Sequence, residues 1–212
     1  MNILILLTFF SFIVYLYMGI YLFKLDSKSV INRLFFAVCL STALWALTFT
    51  FMQMANDAET ALLWRRLSTY GWGILYSLLL HFFLAFTKKK QILSKWWLYL
   101  LIYIPAFIFL YRYSSDAYIN ASIMTRTDLG WIFIEPGPLV WAYAFMAFYT
   151  FVVVFSIVLT WRWGRSSTLK RQKKQANLIV VTLMIALIAG ALTDGVLPAA
   201  GIHDIPPMAV VI

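Results

Sequence analysis

Residues 162–175 read Arg162-Trp163-Gly164-Arg165-Ser166-Ser167-Thr168-Leu169-Lys170-Arg171-Gln172-Lys173-Lys174-Gln175. The stretch holds six positive charges and no negative one, and a long apolar segment flanks it on each side. A water-soluble domain rarely sets such an island between two hydrophobic runs. In a membrane protein it is the form of a cytoplasmic loop, because short loops rich in Lys and Arg stay inside the cell. The loop therefore orients the chain.

The rest of the composition agrees. The 212 residues are 63% hydrophobic and 12% charged, whereas a globular domain is about 25% charged. Too little polar surface exists to cover a sphere in water, so lipid must be much of the solvent. Backbone groups in lipid must be satisfied internally, which restricts spanning segments to helices or a closed barrel. The apolar runs are long and continuous rather than alternating, so helices are predicted. The expected architecture is an all-α, polytopic membrane helix bundle.

Outward from the basic island, the predicted spans are residues 139–161 before it and 176–191 after it. Earlier spans fall at residues 3–23, 32–54, 63–86 and 96–111. The longest loop, 112–137, carries Gly130-Trp131 and Pro136-Gly137-Pro138 as turn signals. Trp131, Phe133 and Glu135 alternate with Ile132 and Ile134, a pattern compatible with a short hairpin. Thr193-Asp194-Gly195 is expected to close the sixth span. After a short loop holding Pro198, Gly201, His203 and Asp204, a seventh apolar run opens at Ile205-Pro206-Pro207 and stops at Ile212. Its eight residues fall short of the roughly 20 that a crossing needs. The expectation is one module over residues 1–212, with six complete spans and a truncated seventh.

No basic residue precedes the first span, and Lys24 and Lys28 follow it, so the N-terminus is placed outside. On that layout thirteen Lys and Arg lie on the inner side and four (Arg65, Arg66, Arg112 and Arg126) on the outer. Tryptophans mark two belts, Trp96, Trp97, Trp161 and Trp163 inside and Trp64, Trp131 and Trp141 outside. The predicted location is the plasma membrane, crossed many times.

Function classes narrow by subtraction. The net charge of +9 sits in short loops on one face, so it does not form a nucleic-acid surface. The single Cys39 excludes an internal disulfide and reads as a packing residue. The two histidines, His81 and His203, fall on opposite sides of the membrane and cannot be paired haem ligands. His81 is expected to be packed or hydrogen-bonded. No metal cluster, phosphate loop or catalytic set is visible, so no cofactor, no metal and no enzyme activity are expected of this chain.

The informative residues lie in the outer half. Helical spacing puts Arg65, Thr69, Trp72 and Tyr76 on one stripe, and Arg66, Tyr70 and Gly73 on its neighbour. In the sixth span Ala186, Gly190 and Asp194 form a stripe of small residues ending in an acid. The candidate ligand-binding site is a small outward-facing cavity among spans 2, 3, 5 and 6. Trp45, Arg66, Tyr70, Trp72 and Asp194 would line it, with Trp141 and Tyr143 at its rim. The plainer alternative is a structural Arg66–Asp194 ion pair among packed aromatics.

These motifs carry a resemblance. Asn32-Arg33-Leu34-Phe35-Phe36-Ala37 with Trp45-Ala46-Leu47, Trp64-Arg65-Arg66-Leu67 with Gly71, and the Pro136-Gly137-Pro138 entry resemble the N-terminal seven-transmembrane sensor region of bacterial histidine kinases. Lys170-Arg171-Gln172 and Thr193-Asp194 are similar to it as well. The resemblance implies a membrane receptor in two-component signal transduction. It would detect a small ligand, a peptide or the state of the bilayer, as a homodimer. A cytoplasmic output domain in the same chain, most simply a histidine kinase and otherwise another type such as a nucleotide cyclase, would receive the signal. The rival reading is a small-solute transporter, which would need a midmembrane site and repeat symmetry. A retinal photoreceptor would need an acidic counter-ion at depth, and spans 1 to 5 offer none.

Overall fold

The structure, a computed structural model, describes residues 3–115, 120–128, 130–133 and 140–197. The Pro136-Gly137-Pro138 turn, Glu135, His203, Asp204 and the run from Ile205 lie outside them. Among the described residues there are six long helices: α1 (Ile3–Leu25), α2 (Val30–Met54), α3 (Ala58–Phe86), α5 (Trp96–Ser114), α6 (Val140–Ser166) and α7 (Lys170–Ala191). A four-residue turn of helix, α4 (Lys90–Leu93), lies between α3 and α5. All six long helices are long and apolar enough to cross a membrane.

Several helices overrun the predicted spans, because apolarity marks lipid depth whereas the helix continues into the interface. Asp57 caps α3 by accepting from the Thr60 amide at 2.8 Å and the Thr60 hydroxyl at 2.9 Å. Those bonds hold the Asp57 carboxyl below the usual carboxylate range. Arg65 and Arg66 thus sit about two turns inside the helix instead of at its start. Helix α5 continues to Ser114, so Arg112 belongs to its last turn and not to the loop. The predicted basic loop is largely helical too: α6 ends at Ser166 and α7 begins at Lys170. Lys, Arg and Gln are good helix formers whose charged heads reach water from a helix end. Thr193-Asp194-Gly195 does not stop the sixth span, since a π-helical turn, Leu192–Val196, carries α7 onward.

Helix α3 is the hub, approached closely by α2, α5 and α6, while α1 packs on α2 and α7 on α6. Small residues mark the crossings, as expected where helices associate in lipid. A Cβ on Gly71 would lie 2.6 Å from the Trp45 backbone nitrogen, and Ser41 Oγ donates to the Gly71 carbonyl at 2.7 Å. Gly19 meets Cys39, the packing role expected of that thiol, and Gly164 meets Ala176. Helix α7 meets α6 near Ala186, where Tyr149 OH donates to the carbonyls of Ala186 and Leu187 at 3.4 Å. Thr8 and Thr50 share a hydrogen bond of 2.8 Å between α1 and α2. Pro105 lies inside α5 without ending it, and near it Ser77 of α3 donates to the Ile102 carbonyl.

At the end opposite the basic residues sits the hairpin. Strand β1 (Met124–Thr127) pairs antiparallel with β2 (Gly130–Phe133), so the alternation around Trp131 does mark a strand. The chain reverses at Gly130, whose φ of 116° favours glycine.

A candidate site at the hairpin end

Gln53, at the end of α2, holds the hairpin with both halves of its amide. Its Nε2 donates to the Trp131 carbonyl at 2.9 Å, and its Oε1 accepts from the Trp131 amide at 2.8 Å. The Trp131 indole N–H donates to the Ala55 carbonyl at 2.8 Å, and Arg126 lies over the ring at 5.7 Å. All these polar groups except Arg126 are buried, so each bond avoids a desolvation penalty. The hairpin is a fixed cap over the bundle.

Under the cap, arginines meet aromatic faces. The Arg65 guanidinium lies 5.1 Å from the Trp72 ring and 4.4 Å from Phe133 on β2, linking α3 to the hairpin. Arg112, only 5% exposed, lies 5.6 Å from Tyr113 and 5.8 Å from Trp141, linking α5 to α6. Desolvated cation–π contacts of this kind are worth about 2 kcal/mol. Between them Trp72 meets Tyr113 and Phe145 edge-on at 5.3 and 4.9 Å. A planar cation framed by rings in a dry site suits carboxylates, phosphates and aromatic anions.

Of the sequence-predicted residues, the fold brings Trp45, Trp72 and Trp141 together around one apolar core, with Trp72 fully inside it. Arg66 is half-buried on α3. Tyr70 and Tyr143 are exposed on the bundle's outer surface. The backbone of Asp194 lies in the π-helical turn, and its side chain is outside the described positions. Arg65 was visible as the head of the Trp72 stripe, but its contact with Phe133 was not. Arg112 was missed because it had been placed in a loop, and Gln53 because one polar residue near a helix end gives little signal.

The two tryptophan belts differ. At the basic end Trp96, Trp97 and Trp161 are exposed, as interface anchors should be. At the hairpin end Trp131 is buried, and Trp64 is half-buried, stacked on Phe51 at 4.6 Å. His81 is hydrogen-bonded as expected, its Nδ1 lying 3.0 Å from Tyr103 OH.

Six spanning helices in a bundle, capped at one end and basic at the other, define a multi-pass membrane protein. Residues 7–212 match the family described as the N-terminal 7TM region of histidine kinase. The chain belongs to that family and is a membrane sensor region of the histidine-kinase type. No curated protein and no solved structure matches it.

Proposed function

We propose that this chain is the input half of a plasma-membrane receptor. Its hairpin end faces outside, and its basic end delivers the signal to a cytoplasmic histidine-kinase domain. The stimulus is a small molecule, a peptide or a change in the membrane, and the receptor works as a homodimer. One observation carries the reading: α3 contacts the cap at one end and the basic end at the other. Arg65 meets Phe133 of the hairpin, and Phe86, at the far terminus of the same helix, meets Trp163 at 4.8 Å. A displacement of the cap is thereby passed along one stiff element. Any stimulus acts through its difference in affinity for two arrangements of the bundle.

Of the sequence-derived pocket, Trp45, Arg66, Trp72, Trp141 and Asp194 are part of this proposal, with Arg65 added; the exposed Tyr70 and Tyr143 are not. Joined through its C-terminus to a histidine-kinase reporter, the module should change basal phosphorylation when Arg65→Ala or Phe133→Ala is introduced. Unchanged output and stimulus response in both variants, and in Arg66→Ala and Asp194→Ala, all correctly inserted, would sink the site. Alkaline phosphatase active at residues 167–169 would overturn the orientation.

A further inference from the structure

Helix α5 turns one stripe away from the bundle. Ile104, Phe107, Ile108 and Tyr111 recur at steps of three, one and three residues, and all four are exposed. That spacing makes one continuous face. The face borders α6, where Trp141 completes an open groove of about 430 Å³. One charged side chain joins the lining, that of the buried Arg112.

Position says what such a groove suits. Ile104 and Arg112 are eight residues apart, about 12 Å along the helix axis. Arg112 lies in the last turn of α5, the end at which a spanning helix meets the headgroup region, and Ile104 lies two turns nearer the helix centre. The slot is apolar along its length and cationic at its headgroup end. A soluble anion has no need of the slot. A second helix packs best on small residues, and this stripe is uniformly bulky. An acyl chain beneath a negative headgroup satisfies both parts, and a guanidinium presents forked donors to phosphate oxygens.

We propose that the groove between α5 and α6 binds an anionic phospholipid of the surrounding leaflet. One acyl chain lies along Ile104, Phe107 and Ile108, and the phosphate meets Arg112. The proposal needs the multi-pass fold but not the sensory reading, because binding is read without any output domain.

The test is native mass spectrometry of the 212-residue chain in mild detergent, with equimolar phosphatidylglycerol and phosphatidylcholine. Phosphatidylglycerol should be retained over phosphatidylcholine by about tenfold, because phosphatidylcholine carries the same phosphate but its choline cation offsets the attraction to Arg112. Arg112→Gln should abolish that preference, and Arg126→Gln should keep it. Ile108→Trp, at an exposed position the fold tolerates, should fill the groove and lower retention of phosphatidylglycerol. Excess glycerol phosphate should leave the lipid bound. Equal retention of the two lipids by the unaltered chain would overturn the proposal, as would full retention in Ile108→Trp or displacement by glycerol phosphate. Should Arg112→Gln fail to fold, the lipid preference, the groove-filling variant and the competition decide it.

Discussion

Helices α3 and α7 are both membrane spans, yet they live in opposite surroundings. The apolar window of α3 has mean hydropathy 1.4 and is 61% buried, whereas that of α7 has 1.7 and is only 11% buried. Helix α1, the most apolar at 2.4, is 22% buried. In water the ranking would run the other way. Lipid tails are as apolar as leucine, so burying leucine against protein gains little there. The lipid-facing surface must be apolar, as Leu178, Val181, Ile185 and Ile188 of α7 are. The interior is free to hold Ser68, Thr69, Gly71, Gly73 and Ser77 of α3, of which Thr69 and Ser77 donate to carbonyls of α5 and Gly71 accepts from Ser41 of α2. Hydropathy alone does not set the order, since α5, at 1.3, is only 28% buried; what distinguishes α3 is its small and polar interior face.

The contrast can be broken by mutation. Gly71→Ala puts a methyl against the backbone of Trp45, which cannot swing aside. It should cost about 3 kcal/mol. Ile185→Ala, on the exposed face of α7, should change stability by no more than about 0.5 kcal/mol. Unfolding in detergent micelles, followed by tryptophan fluorescence, measures both. Equal effects would mean that α3 is not the hub.

Gln53→Leu strands the Trp131 amide and carbonyl beneath the cap and should cost about 2 kcal/mol. Faster amide exchange in the hairpin, with the spans unchanged, would place the loss there; uniform change would contradict a separately anchored cap. Lys88→Gly should act in the opposite direction. Lys88 follows α3 with φ of 60°, a conformation glycine adopts freely, so the change should stabilise by about 1 kcal/mol. A smaller loss is expected of Thr8→Val. It removes the bond to Thr50, which keeps its own bond to the Ala46 carbonyl, and should cost about 0.6 kcal/mol. A loss of several kcal/mol there would mean that α1 is held as tightly as α3.

The six spanning helices could be found from apolar runs because each is a local property of some twenty residues. Their ends could not. The Asp57–Thr60 cap lies before the apolar run of α3, and the helical turns after Trp161 are too polar to count as span. Strand β2 showed itself by alternation, but β1 has the mixed pattern Met-Thr-Arg-Thr, and the clamp from Gln53 joins residues 78 positions apart. The site divided likewise. The stripe carrying Arg65 and Trp72 follows from helical spacing, while Tyr70, read as lining the same pocket, proved exposed. Spacing says which residues share a face, not which way that face turns.

Composition along the chain was enough to locate the six spanning helices among the described residues and where the cations collect, because transfer into lipid is decided segment by segment. It could not rank the helices from outer to central, nor bring Arg65 to Phe133 and Arg112 to Trp141. Those outcomes depend on shape and hydrogen bonding between distant residues, of which Gly71 against Trp45 is the clearest case. Between apolar faces lipid is nearly indifferent, so the choice of neighbours falls to packing.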